Sequence, residues 1–244
     1  MEFDKIDLDL NLDFGDIGFD TDLDVGAFDL SLDIENELET RIIKPAYHKP
    51  IKQSMVKAER ASDLVKQITL ERGMRVHAVI SGNFIFSHFI RALLMDNNIK
   101  AKRMIISTLS LSQDCIEALK DVCDLGYCDK LDMIVSAYFY SHERRQLIQY
   151  LYDSLDYEGA PCEFQLAVAG THCKTVLIET TGGAKLVIHG SANLRSSRSL
   201  EQFSIEENAD LYDFHAEYSD RILETYRTIR KEVRAGKLWE AMNG

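Results

Sequence analysis

The chain has 244 residues, 45% of them hydrophobic and only three of them proline, which is enough to bury a full core as one domain with an appendage. No stretch approaches the roughly 18 apolar residues that a membrane-spanning helix needs, and the acidic opening MEFDKIDLDL lacks the basic start of a secretory signal. The net charge of −12 is unevenly placed: residues 1–40 hold 14 acids and one base, Lys5, whereas the remainder holds 26 acids and 27 bases. The average charge argues against a polyanionic partner, but the nearly neutral body is not excluded from binding one.

Residues 1–40 form a biased segment in which apolar residues alternate with acids. Ile6, Leu8, Leu10, Leu12 and Phe14 set the first phase, and the phase shifts at Gly15 and again near Gly26. A period of two points to extended structure with one apolar face, while aspartate and like-charge repulsion oppose a strand. The segment is therefore expected to be a disordered acidic tail or a docking element for a protein partner. A sharper version makes it a polyanion mimic for a basic cleft, competing with DNA at high effective concentration. The run Asp20-Thr-Asp22-Leu-Asp24 lacks the glycine and glutamate that a calcium-binding loop requires.

Residues 41–53, punctuated by Pro45 and Pro50, read as a linker, and residues 54–244 as the folded domain. Met55, Ala58, Ala61, Leu64, Val65 and Ile68 predict a helix over about 54–72, stopped by Gly73. The chain then alternates. Met74–Ile80, Arg103–Leu109, Leu131–Phe139 and Glu163–Ala169 read as strands, separated by helices at Ser87–Met95, Gln113–Leu125 and Glu143–Leu155. Three consecutive β-then-α units predict an α/β layered domain with a mixed, largely parallel sheet flanked by helices. Thr175–Thr180 and Lys185–His189 flank Thr181-Gly182-Gly183-Ala184, a hairpin signal. A short strand is expected around Ile205 and a long closing helix over 212–235. Five cysteines, an odd number, fit reduced packing residues in a cytoplasmic protein, and Cys115, Cys123 and Cys128 match no zinc spacing. Phe84 and Phe86 read as core. His77, His88, His142 and His189 have no partner pattern.

The chemistry concentrates between residues 172 and 202. His172 and Lys174, two apart, share one face of an extended segment, with Cys173 turned the other way into packing. The hairpin brings the neighbouring strand end, Gly190-Ser191-Ala-Asn193, to the same place. An imidazole, a cation, a hydroxyl and an amide suit a phosphate diester, whose transition state wants preorganised donors. The set lacks the acidic cluster of a two-metal phosphoesterase.

His-x-Lys, then Glu179, then Gly-Ser-x-Asn resembles the HKD signature of the phospholipase D superfamily, over residues 172–193, and the β/α order from residue 74 is similar to that family's domain. Glu179 stands where the family usually has aspartate. The segment from Ser199 to Ile205 resembles the following strand element, with Glu201 as its acid after an unusually short gap. The body is also similar to phospholipase-D-like proteins of phages and mobile elements. The resemblance implies a metal-independent phosphodiesterase that forms a covalent phosphohistidine on His172, with no cofactor. A single motif implies a homodimer in which the second copy's histidine acts as general acid. Lys174 and Asn193 would bind the non-bridging oxygens with help from Ser191, and Glu201 or Glu179 would orient His172. Arg195 and Arg198 would contact neighbouring phosphates. Nucleic acid is the expected substrate, although the body's net charge is a weak footprint and a basic stripe on the last helix (Arg227, Arg230, Lys231, Arg234, Lys237) reads first as a solvated face. A non-catalytic nucleic-acid or partner-binding protein and a phospholipid-directed enzyme are the alternatives. The lipid reading wants a membrane helix or a basic amphipathic surface, and neither is visible.

Overall fold

The computed structural model describes residues 52–81, 84–194 and 199–228. The acidic segment, Arg195, Arg198 and the basic positions from Arg230 onward lie outside the described residues. Eight strands form one mixed sheet: β1 (Lys52–Ala58), β2 (Met74–Ile80), β3 (Ala101–Thr108), β4 (Lys130–Ser136), β5 (Glu163–Ala169), β6 (Thr175–Thr180), β7 (Lys185–Gly190) and β8 (Glu201–Glu207). Their spatial order is β1-β2-β8-β7-β6-β3-β4-β5. The pairs β1–β2, β3–β4 and β4–β5 are parallel and the remaining pairs antiparallel, so two βα blocks sandwich the hairpin. Six helices complete the described chain: α1 (Ala61–Val65), α2 (Phe86–Asp96), α3 (Gln113–Asp124), α4 (Ala137–Glu143), α5 (Leu147–Leu155) and α6 (Ala209–Thr225). No helix among the described residues is long and apolar enough to cross a membrane.

Two layers of packing hold the sheet. On one face the alternate residues Met74, Val76, Ala78 and Ile80 of β2 join Val176 and Ile178 of β6 and Phe203 and Ile205 of β8. They meet the apolar stripes of α2 (Phe89, Ile90, Leu93, Leu94) and α3 (Ile116, Leu119, Val122). Each buried Val, Leu, Ile, Phe or Met among them contributes roughly 1.5–3 kcal/mol of transfer free energy. The opposite face packs Ile105, Ile134, Ala167, Leu177 and Val187 beneath Tyr212, Ala216 and Leu223 of α6. β3 and β4 are covered on both sides, which explains their continuous apolar runs.

Several boundaries differ from the sequence expectation. The helix expected over 54–72 is strand β1 followed by the short α1, and β1 begins inside the expected linker. Met55 is 83% exposed while Ala58 is buried and Val56 packs on the core, a period of two along an edge strand. The strand expected to reach Phe139 stops at Ser136, whose hydroxyl accepts from Phe139 N at 3.0 Å and thereby caps α4. The helix expected over Glu143–Leu155 is present as α5 from Leu147, and α4 is an additional helix ahead of it. The closing helix ends at Thr225, so Arg227 lies in a bridge to Ala167 rather than on a helical stripe.

Strand directions matter for function. The carboxyl ends of β1 to β5 and of β7 lie along one rim of the sheet, together with the amino ends of β6 and β8.

Candidate active site

Residues 170–174 cross this rim from the end of β5 to the start of β6, over the ends of β4 and β3. Three strand spacings separate the two strands, about 14 Å. The crossing is pinned by Thr171 N donating to Ala169 O at 2.8 Å, Cys173 N to Thr171 Oγ1 at 3.1 Å and Ser107 Oγ to Cys173 O at 3.3 Å. The side chains of His172 and Lys174 come together on this pinned segment. Lys174 Nζ lies 3.1 Å from His172 Nδ1 and donates to His172 O at 3.3 Å. An ammonium has only donors, so it assigns the lone pair to Nδ1 and the proton of a neutral ring to Nε2.

The second half of the constellation is built by β7 and β8. Gly190 N donates to Lys174 O at 3.3 Å, which joins the end of β7 to the His172 segment. Ser191 N donates to Gln202 O at 2.9 Å, Gln202 N donates to Ser191 Oγ at 3.0 Å, and the Ser191 hydroxyl donates to the Glu201 carboxylate. This close approach requires the glycine: a Cβ on Gly190 would sit 2.2 Å from Gln202 O and 2.6 Å from Phe203 Cα, both backbone atoms. Asn193 is half-buried, with its Oδ1 enclosed and without a hydrogen-bond partner among the described residues. Leu194 N reaches Thr108 Oγ1 at 3.4 Å, tying the loop after β7 to the end of β3.

The rim therefore holds two polar pairs, His172–Lys174 and Ser191–Glu201, with Asn193 in the loop after Ser191. Glu179 is not with them. It sits at the hairpin end of β6, beside Arg103 and Lys185 in register, and pairs with Lys102 at 3.0 Å. The strand carries it about 17 Å from Lys174, at 3.3 Å per residue. It cannot orient His172 there, and Glu201 is the acid of the constellation that reaches the rim. Cys173 is exposed rather than packed, although it does face the α6 side, where it meets the Tyr218 hydroxyl.

Sequence spacing missed a polar network beneath the rim. His189 lies directly opposite Thr175 and 3.6 Å from Glu206, which also receives Arg75 at 2.7 Å. Burial would raise the Glu206 carboxyl, but the nearby His189 ring and the hydrogen bond from Arg75 override it and hold it down at about 2. On α6, His215 Nδ1 is 2.9 Å from the Tyr218 hydroxyl. Burial, with the nearby His189, pushes His215 down to about 4, and burial pushes Tyr218 up to about 12. Cross-strand register was the only signal for this network, because its members are distant in sequence. Phe84 and Phe86 are core as expected, packed with Phe89 and Phe203. Cys115, Cys123 and Cys128 are buried free thiols, and no cluster among the described residues is arranged to hold a metal ion.

No protein-family model matches the chain, and no curated protein does. Solved structures do. The chain is similar to Nuc, a phospholipase D family member from Salmonella typhimurium, at 15% identity and a TM-score of 0.42, covering 54% of this chain and 84% of that one. It is similar to NucT from Helicobacter pylori at 19% identity and a TM-score of 0.41, covering 53% and 84%. It is also similar to polyphosphate kinase from Porphyromonas gingivalis at 15% identity and a TM-score of 0.46, covering 67% of this chain and 28% of the kinase. The mixed α/β architecture expected from the sequence is present; its chemistry is read from the side chains of this chain.

Proposed function

We propose that this chain is a metal-independent phosphodiesterase acting on nucleic acid as a homodimer. The observation that carries this reading is the meeting of His172–Lys174 with Ser191–Glu201 and Asn193 on one rim of the sheet. A phosphate diester entering the rim offers Lys174 better acceptors than an imidazole nitrogen, so the ammonium moves to a non-bridging oxygen. Asn193, through its side-chain NH2, donates to the other oxygen. Released from Lys174, the ring takes the tautomer with its lone pair on Nε2, and Glu201 accepts from Nδ1–H. Nε2 attacks phosphorus, a P–N bond forms, and the P–O bond to the leaving oxygen breaks. The equivalent histidine of a second copy gives that oxygen its proton. It then takes a proton from water, whose oxygen attacks phosphorus and breaks the P–N bond, regenerating His172. Neighbouring phosphates fall to Arg195 and Arg198. Residues 1–40 are read as a separate acidic segment that takes a protein partner, and the protein as cytoplasmic.

The test is an assay of the purified full chain on single- and double-stranded DNA, RNA and bis-p-nitrophenyl phosphate, all with EDTA. Cleavage that survives EDTA is the expected result. Tight nucleic-acid binding without turnover would move the chain to a binding role, and activity on phospholipid vesicles alone would move it to lipid. Light scattering should give a dimer; a monomer that turns over substrate would remove the two-histidine mechanism.

A further inference from the structure

We infer that a single nucleic-acid strand lies along the catalytic rim, held on one flank by an arginine-lined cavity and on the other by an aromatic stack. This inference rests on the reading of the rim as a nucleic-acid phosphodiesterase site and adds where the rest of the strand binds. The first flank is a cavity of about 410 Å³ lined by Arg60, Ser62, His88, Arg91 and Asp96, with Ala61, Ile85, Ala92 and Met95 as its apolar wall. Arg60 follows the end of β1 and His88 lies in the first turn of α2, which follows the end of β2, so both stand at the rim end of the sheet. Arg91 is held by Asp121 at 3.0 Å, whereas exposed Arg60 and His88 have no ion-pair partner among the described residues. The cavity also lies on the face of the sheet to which Lys174 and Glu201 belong by strand alternation, in phase with Val176 and Phe203. Arg60, with the His88 ring and an apolar wall beside it, fits the phosphate and sugar of a flanking nucleotide.

The second flank follows β4. Tyr138 is 68% exposed, and its ring stacks on His142 with centroids 4.1 Å apart. The imidazole is fixed from beneath by Nδ1–H donating to Tyr138 O at 2.7 Å. Arg145, in the turn that follows α4, is exposed. An aromatic ring backed by an imidazole and left in solvent is a platform for an unpaired base, which every base can use through its π-face. From β1 to β4 the rim spans six strand spacings, about 29 Å. That length holds about eight nucleotides at a stacked rise of about 3.4 Å. His172 and Ser191 lie between the two flanks.

The two flanks differ in physical character, and the experiment uses that difference. Binding of a fluorescent single-stranded 12-mer to the full chain is measured against salt for wild type, Arg60→Glu and Tyr138→Ala, with melting temperature and bis-p-nitrophenyl phosphate hydrolysis as controls. Each variant should weaken 12-mer binding by about tenfold. Arg60→Glu should also flatten the dependence of log affinity on log salt by about 0.7 for each phosphate that the protein no longer neutralises, and Tyr138→Ala should leave that slope unchanged. Both variants should melt like wild type and keep small-diester turnover. Unchanged 12-mer affinity in either variant, or a slope altered by Tyr138→Ala, would overturn the track while leaving the catalytic reading in place. A wild-type protein that hydrolyses the small diester but binds no 12-mer would overturn the track and the choice of nucleic acid together. Both signatures without small-diester turnover would keep the track and remove catalysis.

Discussion

The two faces of the sheet are built on different principles. Under α1, α2, α3 and α5 the layer is almost entirely apolar, with Phe84, Phe86, Phe89 and Phe203 packed ring against ring at centroid distances of 5.1–6.1 Å. Under α6, apolar residues share the layer with ion pairs: Arg103 bridges Asp132 at 2.7 Å and Asp220 at 2.6 Å, and Arg75 meets Glu206 at 2.7 Å. Burial energy favours the first face. The second face is weaker as a source of stability, because a desolvated ion pair largely cancels its own attraction. What it supplies beneath the rim is a polar network with shifted protonation at Glu206, His215 and Tyr218.

The contrast can be broken from either side. Phe89→Ala, in the apolar layer, should cost about 4 kcal/mol in denaturant unfolding, since a fully buried ring is removed from a close-packed cluster. Arg103→Ala on the other face should cost about 3 kcal/mol, because it leaves the fully buried Asp132 carboxyl without its cation; Arg103→Ala with Asp132→Ala should recover part of that loss.

Acid should act through the α6 face. As pH falls from 6.5 to about 4, the unfolded His215 takes a proton that the folded one refuses, so the unfolded state is favoured and stability falls by about 3 kcal/mol. Glu206, held at about 2 in the fold, adds a further loss as pH drops below its ordinary value of 4.5. His215→Gln should flatten the upper part of this profile and leave the lower part, a result readable by thermal melts across pH. The smallest effect belongs to Lys185→Ala. Its partner Asp213 is exposed, and the change should stay below about 1 kcal/mol.

Most of the strand order after residue 74 was legible because apolar runs are bounded by turn residues, and the hairpin at Gly182–Gly183 was legible for the same reason. β1 was misread because its residues satisfy two periods at once: Met55 and Ala58 fit a helix, while Val56 and Ala58 fit a strand. Only pairing with β2 decides, and pairing is not local. Of the site, the hairpin signal placed His-x-Lys and Gly-Ser-x-Asn at neighbouring strand ends, where Gly190 N meets Lys174 O, while Glu201 comes to the same rim through β8. Glu179 misled because a motif fixes separation in sequence, whereas an extended strand converts five residues into about 17 Å. His189 and Glu206 escaped notice because they meet across neighbouring strands.

The central claim is that His172 is the nucleophile at the rim. It is tested most directly by a single-turnover reaction, with EDTA present, on an oligonucleotide carrying a radiolabelled internal phosphate. The expected result is transient, alkali-stable label on the wild-type chain, with no label and at least about a thousandfold slower cleavage in His172→Ala. Cleavage by His172→Ala at the wild-type rate would contradict the account.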